Sequence, residues 1–83
     1  MDAAVAFGKV LRRLRNEAGL TQEELGFEAD LRRTYISILE LGQQQPTLTT
    51  ILKLAKPLKH SAQDIVGLVE AEIYKADRRS RKR

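Results

Sequence analysis

Apolar residues recur along this chain at helical spacing. Phe7, Val10, Leu11 and Leu14 fall at i, i+3, i+4 and i+7, one stripe of an amphipathic helix. The pattern predicts a first helix from about Ala3 to Ala18, stopped by Gly19. A second runs from about Gln22 to Glu28, with Leu25 and Ala29 turned inward. A third runs from about Arg32 to Leu41, buries Ile36 and Leu39, and ends at Gly42. After the loop Gln43-Gln44-Gln45-Pro46, Thr47 caps a fourth helix carrying Leu48, Ile51, Leu52, Leu54 and Ala55. Pro57 lacks a backbone N–H and is expected to cut that helix short or bend it. Ser61 caps a fifth helix, with Asp64 completing a capping-box-like start. No segment alternates as a strand does, so the expected fold class is all-α, a compact five-helix bundle. The fifth helix carries Ile65, Val66, Leu68, Val69 and Ile73, more than one face needs. That surplus predicts a homodimer through Ile65, Leu68, Val69 and Ile73, with the end of the fourth helix beside them.

The stretch from Thr21 to Gly42 says most about function. Thr21 followed three positions on by Glu24 is a capping-box signal, and it opens two short helices joined by a tight turn. The second helix of such a pair can lie in the major groove of DNA with its first residues facing base edges. Those residues here are Arg32, Arg33 and Thr34. An arginine fork matches the O6 and N7 acceptors of guanine, and one bidentate pair discriminates by ~1–3 kcal/mol. Positive charge at a helix N-terminus is mildly unfavourable, so the arginine pair implies a partner that brings negative charge. Arg33 is the leading base-contact candidate.

Charge sharpens this only after it is divided. The net charge is +4, but residues 75–83 hold six Lys/Arg and one Asp, while residues 1–74 hold nine Lys/Arg and ten Asp/Glu. The body is therefore close to neutral. Its arginines nevertheless gather in two segments, at Arg12, Arg13 and Arg15 and at Arg32 and Arg33, which predicts one basic face. The division expected is a binding domain over 1–74 that includes a dimerising fifth helix, and a basic, disordered tail over 75–83.

Several function classes fall away. The 83 residues contain no cysteine, hence no disulfide framework and no thiolate metal site. His60 stands alone, without a second ligand at metal spacing, so no metal or cofactor is expected. There is no Gly-rich phosphate loop, nucleophile elbow or HExxH, and Glu23-Glu24 and Glu70/Glu72 are not placed as acid–base pairs, so no enzyme is expected. The apolar runs are too short to cross a membrane and the N-terminus lacks the plan of a secretory signal, so a cytoplasmic protein is expected. No sensor domain is visible, and no small-molecule ligand is expected.

The string LRRLRNEAGLTQEELGFEADLRRTYISILELGQQQPTLTTILKLAKPL resembles the Xre/Cro-type helix-turn-helix family of bacterial and phage transcriptional regulators. The likeness covers roughly residues 7–70 and rests on LTQEEL, RTYIS, the ELG loop entry and PTLTTILKLA. Within the family, the short length and DLRRTYIS look similar to controller proteins of restriction–modification systems. The resemblance implies a lambda-repressor-like domain that binds double-stranded operator DNA as a symmetric dimer on a palindromic site. It implies base contacts from Arg32, Arg33, Thr34, Ser37 and Ile38, with Ile38 suited to a thymine methyl. It implies backbone contacts from Thr21, Gln22, Tyr35, Gln43, Gln44 and Gln45, and a structural ion pair between Arg15 and Glu40. Three positions depart from the pattern: Gly26 replaces Ala in the second helix, Asp30 replaces Gly in the turn, and Leu41 replaces a basic or polar residue. The competing reading is an antitoxin or other protein-interaction module that binds DNA secondarily.

Overall fold

The computed structural model describes the backbone of residues 1–81 and the side chains of residues 1–78. The elements are α1 (Ala3–Glu17), α2 (Gln22–Ala29), α3 (Arg33–Glu40), α4 (Leu48–Leu58) and α5 (Ala62–Arg81), with no strand among the described residues.

Four of the five starts are fixed by a side-chain oxygen accepting from an otherwise unpaired N–H. Asp2 Oδ1 accepts from Val5 N at 2.9 Å, Thr47 Oγ1 from Thr50 N at 3.1 Å, and Ser61 Oγ from Asp64 N at 3.0 Å. At α2 the capping box is complete: Thr21 Oγ1 accepts from Glu24 N at 3.0 Å and Glu24 Oε1 from Thr21 N at 2.9 Å. α3 alone among α1 to α4 begins without a side-chain cap.

Every helix contributes to one core. Leu11, Leu25, Ile36, Leu39, Leu54 and Ile65 are all less than 2% exposed. Burying side chains of this size stabilises by ~1.5–3 kcal/mol each relative to exposure. α1 lies against both α3 and α5, and α2 is held between α3 and α4. α3 is thereby clamped along one side and open along the other.

The expected stops are present: Gly19 (φ 74°), Asp30 (φ 58°) and Gly42 (φ 73°) adopt left-handed backbone after α1, α2 and α3. Asp is among the residues that tolerate this region best, so the α2–α3 turn survives without its usual glycine.

Three boundaries differ from the sequence expectation. Arg32 is not the first helical residue of α3 but its extended N-cap (φ −74°, ψ 144°). Pro57 neither ends α4 nor removes its last turn; the helix runs on to Leu58 and stops at Lys59 in a left-handed conformation. Leu58 is buried in the core, and that burial offsets the one hydrogen bond a penultimate proline forfeits. α5 continues to Arg81, so residues 75–81 of the expected disordered tail are helical, and its last two residues lie outside the described ones. Lys, Ala and Arg are strong helix formers, basic residues favour a helix C-terminus, and Arg78 lies 5.8 Å from the centre of the Tyr74 ring one turn back.

Candidate nucleic-acid interface

The site is built around α3, whose inner end is tied down first. Arg15 on α1 forms a two-pronged pair with Glu40: Nε donates to Oε2 at 2.6 Å and Nη2 to Oε1 at 3.0 Å. Its third nitrogen donates to the Leu20 carbonyl at 2.9 Å. Gln22 Nε2, at the start of α2, donates to Glu40 Oε1 at 3.1 Å, and Arg12 Nε approaches the same oxygen at 3.5 Å. One carboxylate thus collects donors from α1 and α2 while standing on α3. Its side chain is 0% exposed. Burial disfavours its charged form and is the largest single influence on it. Hydrogen bonds from Arg15 and Gln22, the Arg15 charge and Arg12 together outweigh burial, so the Glu40 pKa lies below the ordinary value. In return, hydrogen bonding to Glu40 raises the Arg15 pKa, against partial burial and with the help of the carboxylate charge.

This geometry divides the first-helix arginines. Arg15 is held by Glu40 and is 13% exposed. Arg12 and Arg13 each make one longer contact, 3.5 Å to Glu40 and 3.7 Å to Glu72 on α5, and keep about half of their side chains in solvent. Arg32 and Arg33 are exposed and make no ion pair among the described residues. They stand with exposed Thr34 at the N-terminus of α3, whose first turn holds no acidic residue. An open hollow bordered by Thr21, Gln22 and Arg33 joins the starts of α2 and α3.

Further along α3, Ser37 and Ile38 are half-buried. Tyr35 is half-buried as well, its hydroxyl 3.3 Å from Thr50 Oγ1, which in turn accepts from Thr47 Oγ1 at 3.1 Å. Tyr35 therefore links α3 to the start of α4. Gln43, Gln44 and Gln45 are exposed in the loop that follows α3. The Gln22 amide has one N–H committed to Glu40 and a second to offer outward. The resemblance gives Gln22 a phosphate and a bracing role toward the recognition helix, and its bond to Glu40 is such a brace. Sequence reasoning gave Arg12 no role beyond its charge. A legible signal existed: Gly8, Arg12 and Arg15 fall at i, i+4 and i+7, one face of α1 turned to α3.

The four candidate dimer residues divide. Ile65 is 1% exposed in the core of a single chain and offers a second copy no surface. Leu68 and Val69 pack half-buried against that core, and Ile73 is half-buried. The apolar residues left exposed nearby are Leu48 and Leu52 on α4 and Val66 on α5.

The helix-turn-helix family model matches residues 11–65, from the middle of α1 to the first turn of α5. The chain belongs to the helix-turn-helix family of transcriptional regulators. This helix-turn-helix protein is 39% identical over 61 residues to control protein C.BamHI of Bacillus amyloliquefaciens, covering 72% of this chain and 75% of that one. It is 42% identical to the restriction–modification controller protein C.AhdI from Aeromonas hydrophila, with a TM-score of 0.72 over 75% of this chain and 94% of the other. The clp gene regulator ClgR from Corynebacterium glutamicum, 22% identical, shares the fold at a TM-score of 0.84 over 96% of this chain and 86% of its own. The likeness to Xre/Cro-type regulators and to controller proteins read from the motif strings is therefore met in sequence and in fold.

Proposed function

We propose that this helix-turn-helix protein reads an operator base by base with the exposed start of α3, and that it does so as a homodimer on a two-fold symmetric site. The observation that carries the reading is the state of Arg32, Arg33 and Thr34. They are exposed at the positive end of a helix and unpaired among the described residues, whereas Arg15 of α1 is taken by Glu40. Two free guanidinium groups at such a place lower their energy by meeting phosphates or base-edge acceptors. Arg33, Thr34, Ser37 and Ile38 face the groove, Arg32 takes a base or a phosphate, and Thr21, Gln22, Tyr35 and Gln43 to Gln45 border the sugar–phosphate backbone.

A single α3 reads few bases, and two copies about 34 Å apart double the contacts. Ile65 drops out of the expected dimer face. Leu48 (70% exposed), Leu52 and Val66 supply the exposed part, with Leu68, Val69 and Ile73 at its edge. Phe7, Pro46, Ile51, Val66 and Val69 line a small apolar hollow of about 170 Å³ beside them. Similarity to C.BamHI and C.AhdI supports the narrower role of controller in a restriction–modification system, acting in the cytoplasm where its operator lies.

Selection of duplexes from a randomised library tests the reading. The protein is expected to enrich a palindromic sequence and to sediment as a dimer at high micromolar concentration. Equal binding to enriched and scrambled duplexes removes the base-reading role; a monomer both free and on the duplex removes the symmetric one. Methyltransferase and endonuclease genes beside its own would support the controller role.

A further inference from the structure

We infer that the C-terminal end of α5, from Lys75 onward, is a second DNA contact: a basic helical arm that meets the phosphates flanking the operator. The inference rests on the DNA-reading role proposed above and concerns residues that role does not use. α5 runs beside α1 in the same direction. Val66 and Val69 border the hollow that Ala3 and Phe7 line, and further on Glu72 meets Arg13 at 3.7 Å. Ala76 is half-buried, whereas Asp77 and Arg78 are exposed. With Glu72 level with Arg13, Ala76 is level with Glu17, the last residue of α1. The helix from Asp77 to Arg81 therefore extends about 7.5 Å past the end of α1. That end of the molecule is where α2 begins: Arg15 donates to the Leu20 carbonyl, and the hollow bordered by Thr21, Gln22 and Arg33 opens there. The other half of α5 carries Val66, part of the proposed dimer face. From Val66 to Arg81 is about 22 Å of helix, so in a symmetric dimer the basic ends lie farthest from the two-fold axis, toward DNA outside the two half-sites.

Residues 75–83 hold six Lys/Arg and one Asp on a body close to neutral. Lys75, Arg78 and Arg79 stand at i, i+3 and i+4, one side of the helix, and Asp77 stands on another. The acid one turn before Lys75, Glu72, is 13% exposed and faces Arg13. Lys75 and Arg78 make no ion pair among the described residues. Like charges at such spacings weaken a helix, and a polyanion beside them turns repulsion into attraction. The character of the surface selects the partner. A protein interface needs an apolar core, and the exposed ring here, Tyr74, already has the Arg78 guanidinium 5.8 Å from its centre. Charge without an apolar core suits a phosphate backbone, which is bound through release of its counterions. A contact of that kind adds affinity equally on every flanking sequence and lengthens the footprint at both ends.

The test uses the full chain and two duplexes. One ends flush with the sequence that the wild-type protein enriches, and one is extended at each end by one helical turn, about 10 bp, of either of two unrelated flanking sequences. The variants are the triple Lys75→Gln, Arg78→Gln, Arg79→Gln and the single Arg78→Gln. At about 50 mM salt the wild-type protein is expected to bind the extended duplex at least about tenfold tighter than the short one, alike on both flanks. The triple variant is expected to lose that gain and to keep its short-duplex affinity within about twofold, with a salt slope on the extended duplex shallower by about 0.9 for each phosphate contact removed. Arg78→Gln alone loses part of the gain, and it decides the matter if the triple variant melts early. No gain in the wild-type protein, a gain that differs between flanks, or a gain that the variants retain overturns the inference. Equal weakening on short and extended duplexes also overturns it, because lower net charge or stability alone produces that result. A wild-type protein that binds enriched and scrambled cores alike refutes the base-reading role, and the operator that the arm flanks goes with it.

Discussion

Glu40, at the C-terminal end of α3, is completely enclosed and accepts from Arg15, Gln22 and Arg12. Arg32 and Arg33, about two turns away at the N-terminal end, are exposed and paired to nothing among the described residues. The same short helix thus carries one charge satisfied by the fold and two left for something outside it. Buried charge must be matched internally because its desolvation is costly, whereas an exposed arginine waits in water at little cost. Sign and residue type do not separate the enclosed arginine from the exposed ones in this chain; the approach of a buried carboxylate does.

Breaking the inner end produces the largest effect. Glu40→Ala leaves Arg15 and Gln22 without their acceptor in a nearly enclosed place. Removing one partner of a buried pair costs about 3–5 kcal/mol. Each kcal/mol lowers the thermal midpoint of a domain this size by about 4–8 °C. A drop of more than about 10 °C in a calorimetric or circular-dichroism melt is therefore expected. A loss below about 1 kcal/mol would show that the cluster ties nothing together.

At the outer end the effect moves from stability to recognition. Arg33→Ala is expected to leave the melt within about 0.5 kcal/mol of wild type, as exposed substitutions do. It weakens binding to the enriched duplex by about 1–3 kcal/mol and relaxes preference at one position in each half-site. Titration against single-base variants of that duplex checks this. Retained preference at every position transfers the base-reading role to another residue of α3.

How far this contrast was legible in the sequence depends on the kind of contact. The helices were legible because their causes are local: the stripe Phe7-Val10-Leu11-Leu14, the Thr21–Glu24 box, and Gly19 and Gly42 as stops. The reach of α5 was misread because the charge run in KADRRSRKR suggested a solvated tail, although its residue types favour helix. The approach of Arg12 to Glu40 left a trace in its spacing from Arg15, but that of Arg13 to Glu72 was not legible, since its partner is distant in sequence and it is one of several basic residues. Gly26 was legible in part. From the sequence it is a weak helix residue that permits close packing of the two helices; the fold adds that a Cβ there would meet the Leu31 carbonyl.

Acid sharpens the comparison with a smaller effect from the same carboxylate. The folded-state pKa of Glu40 is lowered, so the folded chain binds fewer protons there than the unfolded chain does. Its contribution is fully present above the unfolded value of about 4.3 and is lost as pH falls through the lower folded value. Stability in that acid window is therefore expected to rise with pH, Glu40 adding at most about 1.4 kcal/mol per pH unit. Glu40→Gln, which cannot ionise, is expected to show a flatter dependence in urea titrations over the same window. Identical slopes in the two proteins would place the lost stability elsewhere.

The smallest expected effect divides the outer end itself. Arg32 precedes the first helical turn and has extended backbone, so its guanidinium leaves α3 at a different angle from that of Arg33. A residue at that entry lies closer to the strand than to the floor of the groove, and a phosphate is its natural acceptor. Arg32→Ala is then expected to weaken enriched and scrambled duplexes equally. The slope of log affinity against log salt becomes shallower by about 0.9, the counterion release of one phosphate contact. Fluorescence anisotropy at several salt concentrations reads both quantities. A loss confined to the enriched duplex, with the slope unchanged, would instead assign Arg32 to a base, and the helix would then read with both arginines.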